Sequence, residues 1–266
     1  MMKKLMNGIR LYVHYISVNV RSAMQYKASL MFMVMGQLLI STTTFLGIHF
    51  MFMRFSSVKS YTYGEVLLCF AIVLMQFSLA EMFARGFDTF AGIVRRGEFD
   101  RILVRPRSAV LQVLGAKFEV SRIGRLIQAL MIFVYVLMTS AVRWTLGRIL
   151  CLVSMLAGGV LLFSALFLIY AAICFFTLEG LEFMNVFTDG GREYGKYPID
   201  VYGEGIMKFS TYVIPYALIQ YYPLQYMLGR SDNLAYALYP LGVFGFLAAA
   251  YALWRVGVRH YTSSGS

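Results

Sequence analysis

The chain has 266 residues, of which 59% are hydrophobic and only 14% charged, with a formal net charge of +11. A soluble domain of this length is about half apolar and about a quarter charged, and its surface is largely polar. The composition therefore excludes a soluble globular protein and predicts an all-α integral membrane protein with a single domain over residues 1–266. The excess of basic residues fits cytoplasmic loops that lie against anionic lipids, so no nucleic-acid partner is expected.

Residues 1–27 are predicted to form a helix that lies in the membrane interface. Their apolar residues recur at helical spacing, with basic residues between them. The segment has no short apolar core followed by a small-residue cleavage site, as a signal peptide would have. We therefore expect an N-terminal interfacial helix.

Five stretches contain the roughly 20 apolar residues that a helix needs to cross a membrane. They lie near residues 28–53, 65–84, 124–142, 149–177 and 234–256. A sixth apolar stretch, near 206–228, contains two prolines and many tyrosines. Counting this stretch as the fifth in chain order predicts six transmembrane helices.

The basic residues indicate the orientation of these spans. They are concentrated in the N-terminal segment, in the loop between spans two and three, and after the last span. The positive-inside rule places these regions in the cytosol, so both termini are predicted to be cytosolic and the number of spans even. The same parity places the connection 178–205 in the cytosol, although it has six acidic and only two basic residues.

The loop 85–107 is predicted to contain a cytosolic helix that binds another protein. Phe87, Phe90 and Ile93 follow helical spacing, and Phe99 continues the apolar pattern beyond Gly97. Between and after these residues lie charges of both signs: Arg95, Arg96, Glu98, Asp100 and Arg101. Anionic lipids would repel the two acids, whereas a protein surface with complementary charges would accept them. An ordinary positive-inside loop is the alternative.

The stretch VIPYALIQYYPLQYMLG precedes the last span. Pro215 and Pro223 break helical hydrogen bonding, and Tyr216, Tyr221 and Tyr222 suit the outer membrane interface. These residues predict a re-entrant segment near the outer surface. A kinked span that ends in an aromatic belt is the alternative.

No enzyme site, metal site or cofactor is predicted. Residues 190–196, GGREYGK, match the glycine and lysine positions of a nucleotide-binding loop, but Tyr197 stands where that loop needs Ser or Thr. The three histidines are scattered over separate segments. Glu81, four residues before Arg85, is interpreted as a structural ion-pairing residue near the end of a span.

The chain resembles the permease subunit of type-2 ATP-binding-cassette (ABC) exporters. In particular, GEFDRILVRP over residues 97–106 and the prolines at 215 and 223 are similar to motifs of a bacterial subfamily. The resemblance implies a permease of the bacterial cytoplasmic membrane that pairs with a second permease, identical or a sister subunit. Two cytosolic ATPase subunits would bind ATP and Mg²⁺ and drive export of an unknown substrate.

On this resemblance, residues 87–101 would be the coupling segment that the ATPase grips. Phe90, Ile93 and Phe99 would insert into an ATPase groove, and the charges from Arg95 to Asp100 would surround it. A secondary transporter or channel that works without an ATPase remains the alternative function. A membrane-anchored interaction protein is disfavoured.

Overall fold

The computed structural model describes residues 2–139, 144–177 and 182–262. Within these ranges the chain is helical and has no β-strand beyond one isolated bridge. The helices are α1 (Met2–Gln25), α2 (Lys27–Arg54), α3 (Tyr63–Asp88), α4 (Phe90–Arg95), α5 (Glu98–Leu103), α6 (Ala109–Ala116), α7 (Ile123–Thr139), α8 (Leu146–Thr177), α9 (Asn185–Tyr194), α10 (Glu204–Tyr212), α11 (Tyr216–Ile219), α12 (Tyr221–Met227), α13 (Ala235–Leu238) and α14 (Val243–His260).

Five helical stretches in the described residues are long and apolar enough to cross a membrane. They are Lys27–Arg54, Tyr63–Arg95, Val120–Thr139, Leu146–Thr177 and Ala235–His260. They lie where the sequence predicts five of its spans, because long apolar runs are the signal that hydropathy reads best. The stretch 206–228 is not among them, so six long spans are not confirmed.

Helix α3 forms the centre of the bundle. It is apolar around its whole circumference, and nearly every residue from Val66 to Ala80 is buried. Helices α7 and α8 pack against it, α2 packs on α7, and α14 packs on α8. Gly124 lets α7 approach α2 closely, since a Cβ at this position would lie 2.2 Å from the carbonyl oxygen of Val34.

Helix α1 and the last described residues lie at the end of the bundle that carries residues 85–107, which we call the basic end. Helix α1 crosses this end, where the Tyr12 hydroxyl donates to the carbonyl of Phe83 over 2.6 Å. After α14, the Tyr261 ring lies 5.0 Å from the ring of Phe99. Helix α1 and the end of α14 thus lie at the same end of the bundle.

The chain between α8 and α10 does not stay at the basic end. Arg192 lies over the Phe77 ring of α3, Gly195 accepts a hydrogen bond from Cys69, and Asp200 accepts one from Tyr61. Residues 192–200 therefore run antiparallel to α3 toward its first residues, at what we call the opposite end. A loop that stays at the basic end does not fit the described residues 182–202, because Arg192, Gly195 and Asp200 contact positions that lie successively nearer the opposite end.

Residues 204–228 enter the bundle from the opposite end and return to it. The Phe209 ring stacks 6.4 Å from Phe187, which is further from the opposite end than Arg192. The chain then turns, and Gln225 donates to the Tyr61 hydroxyl over 2.6 Å, back at the level where the segment began. Three short helices, α10, α11 and α12, make this path, and none is long enough to span a membrane. These contacts favour a re-entrant path over a single kinked span.

Candidate functional site at the basic end

The segment 85–107 folds into two short helices that continue from α3. Helix α4 ends at Arg95, and α5 begins at Glu98 after a left-handed turn at Gly97, whose φ is +64°. A residue with a side chain adopts this conformation only at a cost of about 1–2 kcal/mol. Gly97 thus redirects the chain so that α5 folds back beside α4.

The aromatic residues of this segment belong to the core of the chain itself. Phe90 and Phe99 are fully buried, and their ring centroids lie 5.0 and 5.1 Å from that of Phe175 in α8. Trp254 of α14 completes the cluster 5.1 Å from Phe90. Phe87 and Ile93 are also buried. The expectation that Phe90, Ile93 and Phe99 insert into a partner is therefore corrected: these side chains attach the segment to α8 and α14.

The charged residues of the segment are more exposed than its aromatic residues. Arg95, Arg96 and Arg101 are exposed, while Glu98 and Asp100 are half-buried. The Arg96 guanidinium donates to Glu98 over 2.8 Å, and this hydrogen bond holds the pKa of the Glu98 carboxyl below its ordinary value. Glu98 is therefore ionised at neutral pH and bound to a neighbour in the same chain.

Sequence reasoning missed the apolar residues that do reach solvent. Leu103 and Val104, at the end of α5, are 43% and 86% exposed. They are followed by Arg105, Pro106 and Arg107, all exposed. We call residues 101–107 the tip. The sequence signal that could have located the tip is an apolar pair between arginines, just before a proline that stops the helix.

Behind the segment, one buried carboxylate binds three arginines. Glu81 of α3 is 3% exposed and accepts from Arg85 over 3.0 Å, from Arg122 over 3.1 Å, and from Arg125 of α7. The pairing of Glu81 with Arg85 is confirmed, and the other two partners come from the far side of the loop. The carboxylate thus joins α3 to the start of α7 and fixes both ends of the segment between them.

Two buried glutamines connect the re-entrant segment to α3, α8 and the chain before it. The fully buried Gln76 of α3 donates to the carbonyls of Met155 and Ile219 over 2.9 and 3.4 Å. Gln220 donates to the carbonyls of Tyr197 and Gly195 over 2.7 and 3.2 Å.

The five residues predicted for this segment have different places in it. Pro215 begins the turn at its deepest point, and Tyr216 beside it is buried and donates to the carbonyl of Phe187. Tyr216 is therefore not an interface residue, contrary to prediction. Tyr221 and Tyr222 are half-buried neighbours with rings 5.3 Å apart, and Pro223 is buried in α12.

The sequence model of one protein family, described as ABC-2 family transporter protein, matches residues 38–265. The chain belongs to this family. No curated protein and no solved structure matches it. The protein is thus a transmembrane component of an ABC transporter, in agreement with its resemblance to permeases of this class.

The interpretation of the GGREYGK match can be compared with the fold of this ABC-2 protein. Residues 190–194, part of the GGREYGK match, lie in helix α9 rather than in a loop after a strand. This arrangement lacks the exposed backbone amides of a phosphate-binding loop. At the opposite end, Glu65 accepts from Arg230 over 2.8 Å, so it too has a structural role.

Replacement of Glu81 by Gln is expected to destabilise the ABC-2 protein by about 3–5 kcal/mol, because it leaves buried arginines without their counter-charge. The thermal unfolding midpoint of the purified protein in detergent measures this loss. Glu204→Gln is the matched control, since the Glu204 side chain is 92% exposed and lies 3.7 Å from Lys208. Equal midpoints for the two variants would contradict the structural role of Glu81.

Replacement of Gln220 by Leu is expected to lower the unfolding midpoint as well. The variant leaves the backbone N–H of Ile199 and the carbonyl of Tyr197 without this partner, and each buried unsatisfied group costs about 1–3 kcal/mol. Gln37→Leu in α2 serves as control, because the Gln37 side chain makes no hydrogen bond to any described residue. A midpoint for Gln220→Leu as high as that of the control would argue against the proposed anchoring.

Proposed function

We propose that the protein is the permease subunit of an ABC exporter, which pairs with a second permease and is driven by cytosolic ATPase subunits that bind ATP and Mg²⁺. The observation that supports this proposal most directly is the tip. It presents an exposed apolar pair among arginines, on a segment that is packed against the spanning helices. Membership of the ABC-2 family supports the same assignment. The chain itself supplies the membrane pathway and no catalytic group.

We infer a topology with the basic end in the cytosol of a bacterial cell and the opposite end outside the cytoplasmic membrane. The excess of arginine at the basic end supports this orientation. The five long helices and the chain over 182–202 then make six crossings, and 204–228 re-enters from the outside. Helix α1 would lie in the interface among lipid headgroups.

To couple ATP binding to transport, the ATPase would bind the tip in an apolar pocket that is surrounded by acidic groups. Leu103 and Val104 would fill the pocket, and Arg101 and Arg105 would meet the rim. The tip cannot move independently, because the Phe90–Phe99 cluster attaches it to α8 and α14 and the arginines on Glu81 attach it to α7. Closure of the ATPases would therefore move the spanning helices.

The exposed charges of α9 support a second permease. The Asp189 and Glu193 side chains are 56% and 44% exposed, yet Arg192 beside them lies at the level of Phe77, within the bundle. Charged groups at this depth are costly in lipid and face a protein partner or a water-filled route. We propose that α9 and the neighbouring face of α2 turn toward the second permease and border the substrate route.

A secondary transporter or channel is the competing function. It would transport its substrate with an ion gradient alone. Transport that continues after every ATPase has been removed would favour it over the exporter.

Val104→Ser is expected to weaken binding of the ATPase about tenfold, since a buried apolar anchor contributes on the order of 1–2 kcal/mol. The dissociation constant of the permease in nanodiscs for the ATPase encoded beside it measures this effect. Val18→Ser in α1 is the control, because Val18 is 50% exposed and lies outside the segment. Equal affinities of the two variants would remove the tip from the coupling step.

A cysteine at Glu193 is expected to form cross-linked permease dimers with a short bifunctional thiol reagent in membranes. A cysteine at Tyr251 in α14, which is 46% exposed, serves as the control and should give none. The native Cys69, Cys151 and Cys174 are buried and can remain. Dimers at residue 251 alone, or at neither position, would contradict the proposed face.

A further inference from the structure

A groove of about 540 Å³ lies between α2 and α7, on a different side of α2 from α9. Its middle is apolar and is formed by Phe45 and Leu46 of α2 and by Met131 and Ile132 of α7. The volume falls within the range of about 300–1,000 Å³ that is typical of pockets for small ligands. The groove opens where α2 and α7 expose apolar side chains, among them Met131 at 54%, so its mouth faces the bilayer.

One end of the groove has an amide donor without a partner. The Gln128 side chain is only 4% exposed, and its Oε1 accepts from the Ser41 hydroxyl. Its Nε2 has no hydrogen-bond partner among the described residues, although Gln128 lines the groove. The Gln128 side chain lines the groove, and hydrocarbon offers this amide donor nothing to bind. A ligand with an acceptor at this end would give the donor a partner.

The other end of the groove is polar as well. His49 Nδ1 and the Tyr63 hydroxyl are 3.0 Å apart, and the half-exposed Tyr135 lies beside them. Gln128 and Tyr135 are seven residues apart on α7, which corresponds to about 10 Å along the helix. The groove therefore has two polar ends about 10 Å apart and an apolar wall between them.

We propose that this groove binds a neutral amphiphile that enters from the bilayer. The ligand has an apolar, preferably aromatic body, a hydrogen-bond acceptor that meets Gln128, and a second polar group near His49 and Tyr63. None of the residues that line the groove is Asp, Glu, Lys or Arg, so a charged ligand would lose its hydration without gaining a counter-charge. The proposal rests on the proposed function only in treating such an amphiphile as cargo.

The test uses 6-propionyl-2-dimethylaminonaphthalene, a neutral fluorophore with a carbonyl at one end of an aromatic body. Its emission shifts when the carbonyl accepts a hydrogen bond. We expect saturable binding to the full-length protein in nanodiscs, with empty nanodiscs as the background. Leu46→Trp, which fills the groove, should weaken binding at least tenfold, and Gln128→Leu should weaken it three- to tenfold and abolish the hydrogen-bonded emission.

Leu241→Trp is the matched control, because Leu241 is 52% exposed and lies between α13 and α14, away from the groove. Unfolding midpoints show which variants remain folded, and ATPase binding, measured separately, tests the proposed function. Binding unchanged in both groove variants would overturn the proposal. A phospholipid that co-purifies with the protein, is lost in Leu46→Trp, and is never displaced by the fluorophore would also overturn it, in favour of a lipid site. Cross-linking of a second permease through a cysteine at Leu46 would show a helix interface instead.

Discussion

The architecture depends on one constraint: backbone groups within a membrane must be bonded inside the protein, even where no continuous helix bonds them. The chain over 182–228 breaks its helices several times while it crosses and re-enters the bundle. Gln76 and Gln220 donate to the carbonyls of Ile219 and Tyr197 at these breaks, and Tyr216 donates to the carbonyl of Phe187 in α9. Because the donors come from α3 and from the re-entrant segment itself, the irregular segment is fixed against the central helix.

Helix α3 therefore supports a different part of the structure at each of its ends. Toward the opposite end it supports the re-entrant segment through Gln76 and Cys69. Toward the basic end it carries Glu81, whose arginines hold the start of α7, and it continues into the segment that ends in the tip. A rigid buried helix that connects the tip to the re-entrant segment supports the proposal that an external ATPase moves this protein.

Much of this fold could be predicted from the sequence, since length and hydropathy locate the five long helices. The course of residues 182–202 could not be predicted. Asp189, Glu193 and several glycines suggest a water-exposed loop, and only the contacts with Phe77 and Tyr61 place the segment beside α3.

The candidate site was predicted in position but not in its details. Helical spacing marks Phe90 and Phe99 as one apolar face, but spacing does not say which surface covers that face, and α8 and α14 cover it here. Arg122 and Arg125 both bind Glu81 at a sequence separation that periodicity cannot detect.

The account is tested most directly by determining on which sides of the membrane the two ends of the chain over 182–204 lie. Cysteines at Glu182 and Glu204, both exposed, bracket this stretch, and a cysteine at Arg101 marks the basic end. A membrane-impermeant thiol reagent applied to intact cells should label residue 204 and should reach residues 182 and 101 only after permeabilisation. Labelling of residues 182 and 204 from the same side would contradict the crossing, and with it the re-entrant path of the chain that follows.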